Sequence, residues 1–241
     1  MLLFTLPLFA VALIYGAAAL LPAIYLMKYI YRKDTVEKEP SMLLMSLLIY
    51  GVIAALISIA LEGIGTKILN SLMDQSTVGY TLVLAFVVVA MVEEGAKFAM
   101  LKRRTWREIN FYYRFDGIVY AVFISLGFAA FENIGYVLGY GLSVAPARAL
   151  LAVPGHMCFG VFMGTFYGRA KQCQVWGDKS EERANLWLGY IVAVLLHGFY
   201  DSCAMVNTVA SSIIFIAFVV IMYIVVIKKV NKESQNDGPI I

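Results

Sequence analysis

YTLVLAFVVVAMVEEGAKFAML, residues 80–101, is an apolar run of bilayer-crossing length that carries three charges in its second half. A hydrocarbon core about 30 Å thick needs about 20 helical residues to cross it. An isolated charge at the bilayer centre costs on the order of 3 kcal/mol, so such residues face a cavity or a partner. The stretch therefore predicts a transmembrane helix in which Glu93, Glu94 and Lys97 meet other protein groups.

Six further apolar runs accompany this one. They lie near residues 4–27, 42–62, 117–140, 149–168, 187–206 and 208–228. Charged residues make up 15% of the chain, against about 25% in an ordinary soluble domain. We therefore predict an all-α, polytopic transmembrane bundle of about seven spans. It forms a single domain over residues 1–241, with a motif-bearing core at about 80–206.

Basic residues set the predicted orientation. They follow spans one, three, five and seven, whereas the alternate loops hold only Lys67 and Arg148. The positive-inside rule then places the N-terminus outside and the C-terminus in the cytoplasm. The same distribution accounts for the net charge of +3, so we expect the bilayer and no nucleic acid as a partner.

Two segments give weaker patterns. Between spans six and seven only Asn207, Thr208 and Ser211 mark a turn, so this boundary could be drawn differently. The polar tail from Glu233 to Ile241 is predicted to be a frayed end.

Seven ionisable residues lie within the predicted spans. They are Glu93, Glu94, Lys97, Glu132, His156, His197 and Asp201. Measured from the cytoplasmic helix ends at about 1.5 Å per residue, all but Lys97 fall between ~12 and ~24 Å deep. Polar groups from four helices therefore meet in one layer, which indicates a shared site.

Helical spacing directs these side chains into the bundle, because residues three and four apart share a face. The small-residue stripe of span five runs through His156, Gly160, Gly164 and Gly168. Such a stripe lets a neighbouring helix approach closely. In span six Asp201 lies one turn beyond His197 and can orient its imidazole. Pro154 removes a backbone donor beside His156 and predicts a local opening of that helix.

Several residues allow two interpretations. Lys97, at i+4 from Glu93 and i+3 from Glu94, is either a structural ion pair or a support for the chemistry. Asn133 makes either a structural hydrogen bond or a substrate contact. Glu62, near the end of span two, is assigned to the membrane interface.

The clustered residues suit hydrolysis of an amide bond. A carboxylate can activate water while imidazoles stabilise the oxyanion. The set could also hold zinc with one position open to water, and the candidate ligands are His156, His197 and Glu132. The HExxH motif is absent. The residues alone equally allow a proton- or ion-coupled transporter.

Four segments, in order, resemble the PrsW family of intramembrane proteases. They are VEEGAK at 92–97, DGIVYAVFISLGFAAFENIGY at 116–136, ARALLAVPGHMCFG at 147–160 and HGFYD at 197–201. That family is similar to the CAAX prenyl endopeptidases and bacteriocin self-immunity proteins, with motifs EExxxR, FxxxH and HxxxN or HxxxD. The present chain departs from these motifs twice: Lys97 stands one position before the Arg, and Glu132 replaces the His.

The resemblance implies a protease of the bacterial cytoplasmic membrane that makes the first cut in a single-span anti-sigma factor. A second intramembrane protease would then complete release of the sigma factor. The matched positions imply that Glu93 activates water, with Glu94 as its partner or alternate, and that His197 stabilises the oxyanion. Glu132 is expected to be catalytic as well, by holding the water, a metal or the substrate, and the supporting residues are His156, Asp201, Lys97 and Asn133.

Overall fold

The computed structural model describes residues 8–206 and 208–240, and the backbone of these residues is almost entirely helical. Its α-helices are α1 (Leu8–Lys33), α2 (Ser41–Leu72), α3 (Val78–Val83), α4 (Met91–Thr105), α5 (Asp116–Tyr140), α6 (Ala145–Ala147), α7 (Val153–Val175), α8 (Lys179–Met205) and α9 (Val209–Gln235). Two π-helical segments, Leu84–Ala90 and Arg148–Ala152, lead into α4 and α7. The predicted all-α bundle is confirmed.

Six helices of the described residues are long and apolar enough to cross a membrane. They correspond to six of the seven predicted spans. The other predicted span, residues 80–101, is helical from Val78 to Thr105 but is interrupted by a π-helical segment and includes the charges of α4. The chain is therefore a multi-pass membrane protein.

The turn between the last two spans lies where the polar markers indicated. α8 ends at Met205 and α9 begins at Val209. Thr208 caps α9, because its hydroxyl accepts from the Ser211 backbone N–H while the Ser211 hydroxyl accepts from the Thr208 N–H. This reciprocal pair is a capping box. The third marker, Asn207, lies outside the described residues.

The glycine stripe of α7 brings its backbone against α5. A Cβ atom built on Gly164 would collide with the carbonyl oxygen of Gly117, and one built on Gly168 would collide with that of Arg114. Only glycine permits this separation, as the sequence pattern predicted. The close approach also directs His156, on the same face of α7, towards α5.

The tail after α9 is packed, so the prediction of a frayed end is wrong for its described residues. Asp237 Oδ1 accepts a hydrogen bond from the Phe115 N–H at 3.0 Å, and the Ile240 N–H donates to the Tyr112 carbonyl at 2.8 Å. Ile240 is buried. The tail pairs with the backbone between α4 and α5, an interaction that its polar composition did not reveal.

Candidate active site

Four buried side chains from three helices meet inside the bundle. Glu93 and Glu94 lie on α4, His156 on α7 and His197 on α8, and one ligand atom of each lies within 4.8 Å of the others. None is more than 5% exposed. The structure thus brings together the residues that helical phase directed into the bundle.

Lys97 places a positive charge among these groups. Its Nζ lies 3.0 Å from Glu93 Oε2, 2.8 Å from Glu94 Oε1 and 3.1 Å from His156 Nδ1. It also lies 3.9 Å from the centre of the Phe128 ring. Because an ammonium only donates hydrogen bonds, His156 Nδ1 accepts here. The predicted pairing within α4 is present, and Lys97 additionally links α4 to α7.

His197 is held from three sides. Its Nδ1 lies 2.9 Å from Glu94 Oε1, and its Nε2 lies 3.3 Å from Asp201 Oδ2. The Phe159 ring stacks on the imidazole with a centroid separation of 4.7 Å. Asp201 therefore contacts the imidazole from one turn away, as the spacing predicted, and the ring has a single defined orientation.

Glu132 lies beside the four-residue group rather than within it. Its Oε2 is 3.1 Å from His156 Nε2 and 2.8 Å from Arg148 Nη2. The donor group that forms in the described residues pairs the two histidines with Glu93 and Glu94 instead. Arg148 and His156 both hold the Glu132 carboxylate, so Glu93 and Glu94 are further candidate ligands beside the two histidines.

Asn133 makes structural hydrogen bonds. Its Nδ2 donates to the Ala19 carbonyl on α1 at 2.7 Å, and its Oδ1 accepts from Arg148 Nε at 2.8 Å. The side chain is fully buried. Of the two roles that the sequence left open, the hydrogen bond is the one present, and Asn133 does not contact the cavity.

A cavity of about 390 Å³ borders the cluster. Its polar lining consists of Glu62, Glu93, Glu132, Tyr136, Arg148, His156, His197, Tyr200 and Asp201. Glu94 and Lys97 lie behind this lining, and Glu94 is 0% exposed. The site therefore has a face open to a substrate and a buried layer that supports it.

Sequence comparison supplies the class of chemistry. A family profile described as PrsW family intramembrane metalloprotease matches residues 39–227. The chain belongs to the PrsW family. The protein named Protease PrsW in Clostridioides difficile (strain 630) is 31% identical over 222 residues, which cover 90% of both chains. PrsW membership makes this chain a protease, so the transporter that the buried charges also allowed is not its class.

Two further relatives named Protease PrsW agree with this assignment. Those of Geobacillus kaustophilus (strain HTA426) and Bacillus subtilis (strain 168) are both 32% identical over 185 residues, or 77% of this chain. The matches cover 77% and 80% of those relatives. No solved structure matches the chain.

The PrsW description includes a metal, and the donor set suits one. Two imidazoles and two carboxylates are ligands that zinc accepts. Glu94 Oε2 is buried and has no hydrogen-bond partner among the described residues, so it is available as a ligand. Lys97 Nζ, however, already bonds three of the four donor residues. A metal centred among all four would displace this ammonium.

Sequence reasoning missed two charged residues of the cavity. It counted Arg148 only as a loop charge and assigned Glu62 to the interface, but both line the cavity. Glu62 Oε1 is buried and has no partner in the described part of the chain. A signal for Arg148 was present, since it lies in the 147–160 segment that carries the PrsW resemblance.

The predicted opening beside Pro154 is confirmed. Arg148–Ala152 is π-helical, and Pro154 has no N–H to donate to the Leu150 carbonyl four residues earlier. The Tyr223 hydroxyl of α9 donates to that carbonyl at 2.8 Å. π-helical turns are frequent at functional sites. Here one carries Arg148 to the edge of the cavity.

Proposed function

We propose that this PrsW-family protease makes the first cut in a single-span anti-sigma factor of a bacterial cytoplasmic membrane. The observation that carries the proposal is that Glu93, His156 and His197 border one cavity within the bundle. A peptide bond held there would meet a base and two imidazoles together. Amide hydrolysis needs this combination of groups.

Glu93 is the proposed general base. It lines the cavity, whereas Glu94 lies behind the lining and contacts Lys97 and His197. A base must come within hydrogen-bond reach of the water whose proton it takes. Glu93 therefore takes the proton, and Glu94 holds Lys97 and His197 in place.

His197 is the proposed stabiliser of the tetrahedral oxyanion. Its contacts with Glu94, Asp201 and Phe159 fix the ring before substrate arrives. Such a preorganised donor contributes strongly because the ring is already in place when the negative charge develops. A substrate carbonyl on the cavity side would compete with Asp201 for the Nε2 proton.

His156 and Glu132 complete the polar wall that orients water and substrate, while Lys97 balances the charge of the two glutamates. If zinc binds here, Glu94, His156 and His197 would hold it and Glu93 would remain the base, and the metal would supply Lewis-acid polarisation of water and of the peptide carbonyl. Zinc bound in purified protein at about one per chain, with activity lost to a chelator, supports this role. Full activity in metal-free protein contradicts it.

The distribution of basic residues supports a cut towards the outer side of the membrane. The cavity lining includes Ala147 and Met205, next to the α5–α7 and α8–α9 connections. The positive-inside rule assigns both connections to the outside. A substrate span could therefore present its outer end to Glu93.

The test is co-expression with a single-span anti-sigma factor tagged at both ends, followed by analysis of the fragments. We expect cleavage to be lost in Glu93→Gln, Glu94→Gln and His197→Gln variants. Glu181→Gln is a matched control, because Glu181 lies exposed at the start of α8.

Equal membrane levels of all variants, measured by immunoblot, separate catalysis from folding. If the three site variants produce the same fragments as wild type, this site is not the catalytic one. Cleavage of other single-span proteins, with the anti-sigma factor left intact, would contradict the substrate and retain the protease.

A further inference from the structure

Arg148 has no part in the chemistry proposed above, yet its guanidinium makes two hydrogen bonds and one aromatic contact. Nη2 lies 2.8 Å from Glu132 Oε2, and Nε lies 2.8 Å from Asn133 Oδ1. The guanidinium carbon lies 3.8 Å from the centre of the Tyr136 ring. All three partners belong to α5, so one side chain ties the π-helical turn before α7 to α5.

The contacts of Arg148 lead directly to His156. The same Glu132 oxygen that accepts from Arg148 lies 3.1 Å from His156 Nε2. On the other side of the ring, Nδ1 accepts from Lys97, so the proton of a neutral imidazole must sit on Nε2. That proton has Glu132 as its acceptor. The tautomer of His156 is thus fixed by Lys97 on one side and by Glu132 on the other.

We propose that Arg148 is a positioning residue of the protease: it holds the Glu132 carboxylate so that His156 keeps its proton on Nε2 and directs Nδ1 towards Lys97, which in turn contacts Glu93 and Glu94. This inference rests on the proposed function of the site. Partners of this kind orient a functional imidazole, and their loss typically lowers activity about 10- to 100-fold. Lysine does not replace the arginine, because its single ammonium lacks the planar fork that reaches Asn133 and Glu132 together.

The kinetic test uses purified protein in detergent and a peptide spanning the cleavage site. We expect Arg148→Lys and Arg148→Ala to lower kcat about 10- to 100-fold with KM changed less than about threefold. Added guanidinium, below unfolding concentrations, should restore part of kcat in Arg148→Ala, whereas urea should not. Glu132→Gln should lose activity without rescue. Arg169→Gln, an exposed arginine paired with Glu233, is the matched control.

A KM increase at constant kcat would overturn the proposal, because it would make Arg148 a substrate-binding residue. Equal activity of wild type and Arg148→Ala would overturn it as well. If Arg148→Ala does not fold, Arg148→Lys keeps the positive charge, and its kcat and KM are compared with those of wild type instead.

A second measurement does not depend on proteolysis. The chain has two histidines, so ¹⁵N spectra of histidine-labelled protein are assigned with a His156→Gln variant. We expect the Nε2-protonated form of His156 in wild type and a mixture of tautomers in Arg148→Ala. An identical His156 signal in both proteins overturns the proposal. If wild type cleaves no peptide, the proposed function fails while this result still decides the role of Arg148.

Discussion

Two regions of the protein bury charge in opposite ways. The site cluster consists of Glu93, Glu94, Lys97, His156 and His197. The loop cluster, where the α1–α2 and α4–α5 connections meet the tail, consists of Asp34, Glu39, Asp116 and Asp237. Every member of the site cluster contacts another at 3.1 Å or less. No carboxylate of the loop cluster forms an ion pair among the described residues.

The loop cluster responds to burial by holding protons more tightly. Burial raises the pKa of Asp34 to about 6, although Lys38 acts in the opposite direction. Burial raises the pKa of Glu39 to about 7, and the charge of Asp34 adds to this effect while the Tyr120 hydroxyl opposes it. The comparison teaches that pairing offsets the burial of charge in the site cluster, whereas in the loop cluster burial raises the pKa of Asp34 and of Glu39.

Lys97→Met should have the largest effect on stability, because it turns the site cluster into an unpaired one. Removing one partner of a buried ion pair costs about 3–5 kcal/mol, since the other charge stays buried. We expect a loss of this size in the free energy of unfolding, measured in mixed micelles. Lys102→Met, an exposed position on the same helix, is the control. Equal stability of both variants would show that the ion pairs of Lys97 contribute nothing to the free energy of unfolding.

Zinc binding provides a second test of how the site cluster pairs its charges. If a metal and the Lys97 ammonium use the same donors, removing the ammonium should strengthen zinc binding. At a zinc concentration about 100-fold above its Kd, binding stabilises a protein by about 2.7 kcal/mol. We expect zinc to recover much of the stability of Lys97→Met and to affect wild type less. Zinc affinity is measured by competition with a chelating dye. Equal affinity in both proteins would show that zinc and the Lys97 ammonium do not share a position.

Asp201→Asn should reduce catalysis and leave folding nearly unchanged. Asp201 is partly exposed and contacts His197 Nε2, so its charge steadies the imidazole from the cavity side. We expect kcat to fall about 10- to 100-fold, as for other residues that orient a functional histidine. The control is Asp178→Asn, because asparagine caps α8 as well as aspartate does. A fall in KM alone would contradict this role.

Glu39→Gln should change the pH dependence of stability. A carboxyl group whose folded-state pKa is raised from 4.5 to about 7 stabilises the fold fully below the lower value, and this contribution is lost as pH rises through the upper one. Between about pH 5 and about pH 8, wild type should lose on the order of 2 kcal/mol more than the variant. Glu37→Gln, an exposed neighbour, should follow wild type. Parallel curves for all three proteins would contradict the prediction.

The sequence predicted the spans and the convergence of the site because both follow from simple periodicities. Apolar runs of bilayer length predicted the helices, and the i, i+4 spacing predicted the contact between His197 and Asp201 that the structure shows. The glycine stripe predicted the approach of α7 to α5 for the same reason.

Features that break the α-helical repeat escaped prediction. The π-helical turn carries Arg148 over α5, and no helical spacing relates it to Glu132 sixteen positions earlier. Glu62 lies within α2, which continues to Leu72, so a span ending near residue 62 placed its carboxylate at the interface instead of the cavity.

The packed tail provides the prediction with the smallest effect. Asp237 Oδ1 accepts from the Phe115 N–H, a hydrogen bond that asparagine can also make and alanine cannot. Asp237→Ala should therefore lower the free energy of unfolding by about 1 kcal/mol, while Asp237→Asn should stay close to wild type. Both variants should cleave substrate normally, because the tail contacts the loop cluster and not the site. Equal stability of the alanine and asparagine variants would mean that the tail frays in solution, as its polar sequence alone suggested.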